Sequence, residues 1–286
     1  MPTALKAKIR EGVVFLCVAL TVAFVFSTKS YAVEVILVDQ PKVRLSIPPG
    51  GSQSGVINVE NRSSEAKTIR VYLEDWVYLP EVDGSKEFKP AGTTELSCAG
   101  WINFFPAAFT LPPFSKRSVH YTVSVPTGVL GGRYAVMFFE DLLSAPGEEG
   151  VSVGVAIRIA SLFYVEAKGT IKRDARLSNL SLIKKERDVL QISADFKNTG
   201  NVDVTTAGTY SIIDEQGMVY ARGEFSPVYT LPGDEGRIDS VWKEDIASGE
   251  YDLIITLNLG GGVVKVSESR VRIGAKPEVI RFGALE

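Results

Sequence analysis

VSVGVAIRIASLFYVEAKG, residues 151 to 169, is the stretch on which the fold turns. Its first half alternates: Val151, Val153, Val155, Ile157 and Ile159 fall on one side, and Ser152, Gly154, Ala156, Arg158 and Ala160 on the other. A period of two marks an extended strand, because successive side chains point to opposite faces of a sheet. Val151 to Val165 is therefore read as one long strand. From Leu162 the apolar residues become continuous through Phe163, Tyr164 and Val165, so the hydrophobic face shifts and a β-bulge is expected near Ala160-Ser161. The apolar row has two readings. It packs on its own domain's core as a central strand, or it forms an edge that covers a partner.

The same pattern runs outward from this strand. Upstream, short β-branched and aromatic runs (Val35 to Val38, Val43 to Ile47, Val56 to Val59, Ile69 to Leu73, Trp101 to Phe104, Ser118 to Val125, Arg133 to Glu140) are separated by Gly, Pro, Asn and Asp. That punctuation is typical of an all-β sandwich. Pro48-Pro49-Gly50-Gly51 is a turn, and the polar segment from Pro80 to Gly100 reads as a loop excursion with little regular structure. Downstream, Lys168 to Ala175 is charged and contains Gly169, which places a linker at 169–175. A second series of seven runs follows from Leu177 to Ile273, with turns at Asp214-Glu215-Gln216-Gly217 and Leu231-Pro232-Gly233-Asp234. No stretch after the N-terminal segment carries a helical period. The expected architecture is all-β, with two immunoglobulin-like β-sandwich domains in tandem at 33–168 and 176–274. The tail, 275–286, has no assigned partner.

Residues 1–32 read differently. Lys6, Lys8 and Arg10 precede an apolar run from Gly12 to Phe26, and Ser30-Tyr31-Ala32 forms a small-x-small site. This is the layout of a cleavable signal peptide, and the run is shorter than the roughly 20 residues a spanning helix needs. The chain is expected to be exported to the periplasm or cell surface, with a mature start at Val33 and no integral membrane segment after cleavage. Cys17 leaves with the signal. Cys98 then has no partner for an internal disulfide and is read as a small buried hydrophobe beside Trp101.

Composition narrows the function. A formal charge of −3 and no block of like charge argue against nucleic acid and against a polybasic membrane patch. The only histidine, His120, alternates with Val119 and Tyr121 and is expected to face solvent, so no general base with a partner is evident. No zinc spacing, nucleophile elbow or phosphate loop occurs, and Gly260-Gly261-Gly262 reads as a hairpin turn. The acidic pairs Glu148-Glu149, Asp214-Glu215 and Asp234-Glu235 lack the convergent spacing of a calcium site. The chain is expected to be non-catalytic, with no cofactor and no metal.

Three stretches carry a resemblance to the N-terminal domain of the bacterial periplasmic pilus chaperones, the PapD-like family. They are VRLSIPPGGSQSGVINVEN (Val43 to Asn61), RYAVMFFEDL (Arg133 to Leu142) and the long strand quoted above. The likeness covers about residues 33 to 168. It implies donor-strand complementation, in which an alternating strand pairs by β-augmentation with an incomplete subunit. Val151, Val153, Val155, Ile157 and Ile159 would then be the donated row. The family also anchors the subunit's terminal carboxylate with an Arg on the first strand and a Lys before the Leu-aromatic-Tyr stretch. Arg44 corresponds to the first; Ser161 stands where the Lys would be, leaving Arg158 as the nearest cation on that strand. The second domain resembles adhesion-type sandwiches of bacterial surface proteins, through LQISADFKNTGNVDV (Leu190 to Val204). The expected partner is another exported protein, such as a surface or pilus-type subunit. The rival class is a structural or adhesive module that binds envelope polymer or a neighbouring protein.

Overall fold

Alternation of the type just described buries one side of each strand, and a computed structural model shows which neighbours do the burying. It describes residues 36–144, 154–186 and 188–286, without the side chains of 142–144 and 154–156. In the N-terminal half the strands are β1 (Ile36–Val38), β2 (Lys42–Ile47), β3 (Ser52–Asn61), β4 (Lys67–Tyr78) and β5 (Lys86–Pro90). They continue as β6 (Ile102–Phe105), β7 (Ala108–Leu111), β8 (Lys116–Ser124), β9 (Gly132–Ser144) and β10 (Gly154–Ala167). One sheet has the order β1-β3-β8-β6; the other is β2-β10-β9-β4-β5, with β7 also on β4. Val43, Leu45 and Ile47 of β2 are buried, as are Ile57, Val59, Val119 and Val123 of the other sheet, while Lys42, Arg44 and Ser46 are exposed. Pro80 to Gly100 is more ordered than expected. It contains β5, paired with the end of β4, and a 3₁₀ turn at Ala99–Trp101.

Buried Asp75 ties that region down. It accepts hydrogen bonds from the Thr94 amide at 2.9 Å, the Thr94 hydroxyl at 3.0 Å and the Ser97 hydroxyl at 2.6 Å. A buried carboxylate with several donors is a satisfied one, which is what the interior requires. Cys98 is fully buried beside it, as its composition suggested.

The second half comprises β11 (Ala175–Glu186), β12 (Val189–Asn198), β13 (Val204–Ile213), β14 (Val219–Thr230), β15 (Glu235–Trp242), β16 (Gly249–Asn258), β17 (Val264–Ile273) and β18 (Glu278–Arg281). Its sheets are β11-β12-β15 and β14-β13-β16-β17-β18. Ile192, Phe196, Ile212, Ile238, Leu253 and Ile255 lie between them. The tail that had no assigned partner is the outermost strand: β18 pairs with β17, and Glu286 exchanges two backbone hydrogen bonds with Val266.

One sequence expectation is overturned. The pairing of β10 with β9 holds a single register from Gly154↔Ser144 to Glu166↔Gly132, so no bulge interrupts Ala160-Ser161. The hydrophobic face does not shift. Instead a second face becomes covered. Ser161, Phe163, Val165 and Ala167 continue the inner row, and Tyr164 on the opposite face is buried with Trp76, Tyr134, Phe138 and Leu231. A strand buried on both faces reads as a continuous apolar run.

Residues Leu37–Glu286 form one compact unit containing both sandwiches. The expected linker is bonded into it: the Lys172 amide donates to Asn201 Oδ1 at 2.7 Å, and Arg173 binds Glu166 at 2.6 Å and the Asp203 carbonyl at 2.9 Å.

Candidate functional site

β10 has two kinds of neighbour along its length. β9 pairs with it from Gly154 to Glu166, whereas β2 joins the other side only from Leu162 onward, in parallel. The β2 chain leaves the lane at Pro41, whose carbonyl accepts from the Leu162 amide at 3.0 Å, and at Gln40, whose carbonyl accepts from the Ser161 hydroxyl at 2.5 Å. Among the described residues no strand occupies the lane beside Gly154 to Ala160. Backbone direction alternates along a strand, and both Leu162 and Lys168 aim their amides at the β2 side. The even-numbered residues Gly154, Ala156, Arg158 and Ala160 therefore direct amides and carbonyls to the empty lane.

Of the row the sequence singled out, Val151 and Val153 lie outside the described residues. Val155 is placed by its backbone, opposite Leu143. Ile157 and Ile159 are half-buried, whereas Phe163 and Val165, on the same face farther along, are closed off. The row thus leaves the core at the point where β2 stops covering the strand.

Arg158 points to the opposite face. Its guanidinium lies 4.6 Å from the Phe138 ring centroid, 3.3 Å from the Tyr72 hydroxyl and 3.4 Å from Glu74. At about 3.3 Å per residue it stands roughly 20 Å along the strand from Tyr164. Arg158 and Arg44 are not brought together.

Arg44 instead faces the groove between the two sandwiches. Its guanidinium stacks 4.2 Å from the Tyr164 ring centroid and donates to Asp203 Oδ2 at 2.7 Å. Burial works against the Arg44 charge, but the hydrogen bond and charge of buried Asp203 outweigh it and hold its pKa above the ordinary value. The Asp203 amide donates to the Tyr134 hydroxyl at 2.6 Å, fixing the acidic partner to the first sandwich.

Two further cations share this groove. Lys42 Nζ lies 4.5 Å from the Tyr164 centroid, and Lys86 Nζ lies 5.6 Å from Trp76 and 5.1 Å from Tyr78. Burial lowers the pKa of both, and for Lys42 the charges of Arg44 and Lys86 add to the effect. Neither ammonium pairs with a carboxylate among the described residues, so both carry charge that an incoming anion could offset. Ser161 is fully buried and occupied with Gln40, so the cations beside Arg44 are Lys42 and Lys86, not a residue at position 161. Lys42 was not singled out from the sequence, although its alternation with Arg44 in KVRLSI was a signal for it. Lys86 carried no signal, because it lies inside the segment Pro80 to Gly100 that reads as an irregular loop.

Candidate chemistry of other kinds is thin. His120 is exposed on β8, as expected from its alternation. Among the described residues no group of His, Cys, Asp and Glu side chains is arranged to hold a metal ion, and no helix is long and apolar enough to cross a membrane.

No protein-family model matches the sequence, and no curated protein does. Solved structures do match. The class 5 fimbriae chaperone CfaA is 15% identical, with 87% of this chain and 99% of that chain covered and a TM-score of 0.47. A chain of the Salmonella enterica SafA pilin–SafB chaperone complex is 9% identical over 86% of this chain and 97% of that one, with a TM-score of 0.40. The YadV chaperone is 12% identical over 87% and 98%, with a TM-score of 0.37.

Proposed function

We propose that this chain is an exported, non-catalytic, chaperone-like protein that binds another exported protein through the open edge of β10. The observation that carries this reading is the end of β2 coverage at Leu162. Among the described residues no strand then pairs with the β2-side backbone donors and acceptors from Gly154 to Ala160, beside half-buried Ile157 and Ile159. An edge with both polar backbone and apolar side chains is a template for a further strand. The added strand would extend the β2 lane and end beside Lys42, Arg44 and Lys86, where a terminal carboxylate fits. The resemblance of residues 33 to 168 to the pilus chaperones supports the same assignment, with a surface or pilus-type subunit as the partner.

Proline substitution tests the edge directly. Arg158→Pro removes an amide that faces the empty lane while sparing the ladder to β9, and proline is tolerated at that position of an edge strand. Arg158→Ala removes the same side chain and keeps the amide. Binding is read as retention of a short peptide of alternating valine and threonine with a free carboxyl end. Arg158→Ala is expected to retain the peptide and Arg158→Pro to lose it, with both proteins folded. Equal retention by the two variants would refute edge pairing.

A further inference from the structure

Val82 is a β-branched residue with a backbone φ of 49°, a left-handed conformation that such residues seldom adopt. It sits in the β4–β5 connection of the first sandwich, yet its side chain is buried in the core of the second, among residues such as Val228 and Ile238. The seat is specific. The Val82 amide donates to the Leu79 carbonyl at 3.0 Å, and its carbonyl accepts from the Tyr229 amide of the second sandwich at 2.8 Å. A Cβ added at Gly236 would come within 2.6 Å of a Val82 methyl, so the seat has room for Val82 only because residue 236 has no side chain. Two residues on, Gly84 has φ of 100°, and a Cβ there would lie 3.3 Å from the Tyr229 ring.

The same connection carries one of the groove's cations. Lys86 Nζ donates to the Gly84 carbonyl at 2.7 Å, which holds the ammonium over Trp76 and Tyr78. Tyr78 in turn meets Tyr229, with ring centroids 5.9 Å apart. A continuous set of contacts therefore runs from the second sandwich through Val82 and Gly84 to Lys86. We infer that Val82 is a positioning residue: seated in the second sandwich, it holds the 79–85 connection so that Lys86 faces the groove beside Lys42 and Arg44. The second sandwich thereby shapes the anion-binding end of the site, and the inference rests on the proposed binding role of that groove.

The test uses the full chain with Val82→Gly, which keeps the left-handed backbone accessible and removes the plug. Tyr229→Ala, at a partly exposed position in the second sandwich, perturbs the same seat without touching Lys86 and covers the case in which Val82→Gly fails to fold. The first readout is titration of the Lys86 side chain by NMR. Release of the loop returns Lys86 to water, so its pKa, lowered by burial, is expected to rise toward the ordinary lysine value in both variants. The second readout is preference for the alternating valine–threonine peptide with a free carboxyl end over its amide, expected to be lost in both. An unchanged Lys86 titration in the folded variants would overturn the positioning role. If the unsubstituted protein shows no carboxylate preference, the binding reading fails, and the Lys86 titration still decides whether Val82 positions it.

Discussion

Lysine substituted at Ile157 distinguishes an open edge from a central core strand, with Phe163→Ala as the reference on the same face. Phe163 is fully buried and packs edge-on against Tyr121, with centroids 5.1 Å apart. Truncating a buried phenylalanine leaves a cavity as well as lost transfer energy, about 3–5 kcal/mol together. Ile157 is half-buried beyond the end of β2, where a lysine stem can lie along apolar surface and keep its ammonium in water. Its loss is then at most part of one side chain's burial, about 1.5 kcal/mol or less. Urea unfolding of each variant supplies the comparison, and retention of the alternating peptide supplies the function. Ile157→Lys should unfold close to the unsubstituted protein while losing the peptide, and Phe163→Ala should unfold well below it. Destabilisation by Ile157→Lys matching that of Phe163→Ala would show a core strand and remove the basis for the binding edge.

Other consequences follow from the same geometry. Burial raises the Cys98 thiol pKa far above its ordinary value, so it should resist alkylation at pH 8 in the native protein and react on unfolding; rapid native labelling would contradict its placement. Asp203→Ala removes the buried partner of Arg44, whose side chain is 45% exposed, so the cost should fall in the lower half of about 1–3 kcal/mol, read by urea unfolding. The two sandwiches exchange plugs, Val82 into the second and Leu231 into the first. Expressed apart as 33–168 and 176–286, each should be less stable than in the full chain by about 1.5–3 kcal/mol for the lost seat; undiminished stability of both would contradict the exchange.

The sequence disclosed elements whose burial is one-sided and hid those whose environment comes from distant residues. Lys42 to Ile47 alternates because one face is core and the other groove, so both its strand and its cations can be read. KEFKP, residues 86 to 90, is an edge strand with no fully buried residue, so no period marks it, and Lys86 was missed with it. The continuous run Leu162 to Val165 suggested a bulge because its second cover, the cluster with Trp76, Tyr134 and Leu231, comes from other strands and from the second sandwich. Glu278–Arg281 has only one partly buried residue, and its pairing with β17 brings together segments that composition does not connect.

The direction of β10 also constrains how a partner strand would lie. The strand runs from the open lane toward the groove, and β2 occupies the far part of that lane from Leu162. An incoming strand that fills the lane meets β2 end to end, so it must either turn out of the sheet there or terminate. Gln40 and Pro41 crowd the turning route, since their carbonyls already engage Ser161 and Leu162. Termination places a chain end, with its charge, beside Lys42 and the groove cations. Asp203 offsets the charge of Arg44, so an α-ammonium there would face the like charges of Lys42 and Lys86, whereas a carboxylate would face two opposite ones, and it is the latter that Coulomb's law favours. A strand whose carboxyl end reaches the groove runs in the same sense as β10. The partner is therefore expected to pair parallel to β10 through its own C-terminal segment, with alternate side chains directed at Ile157 and Ile159. Moving the free carboxylate to the other end of the same alternating peptide, by amidating the C-terminus and succinylating the amine, should abolish retention; undiminished retention of that peptide would refute the parallel arrangement.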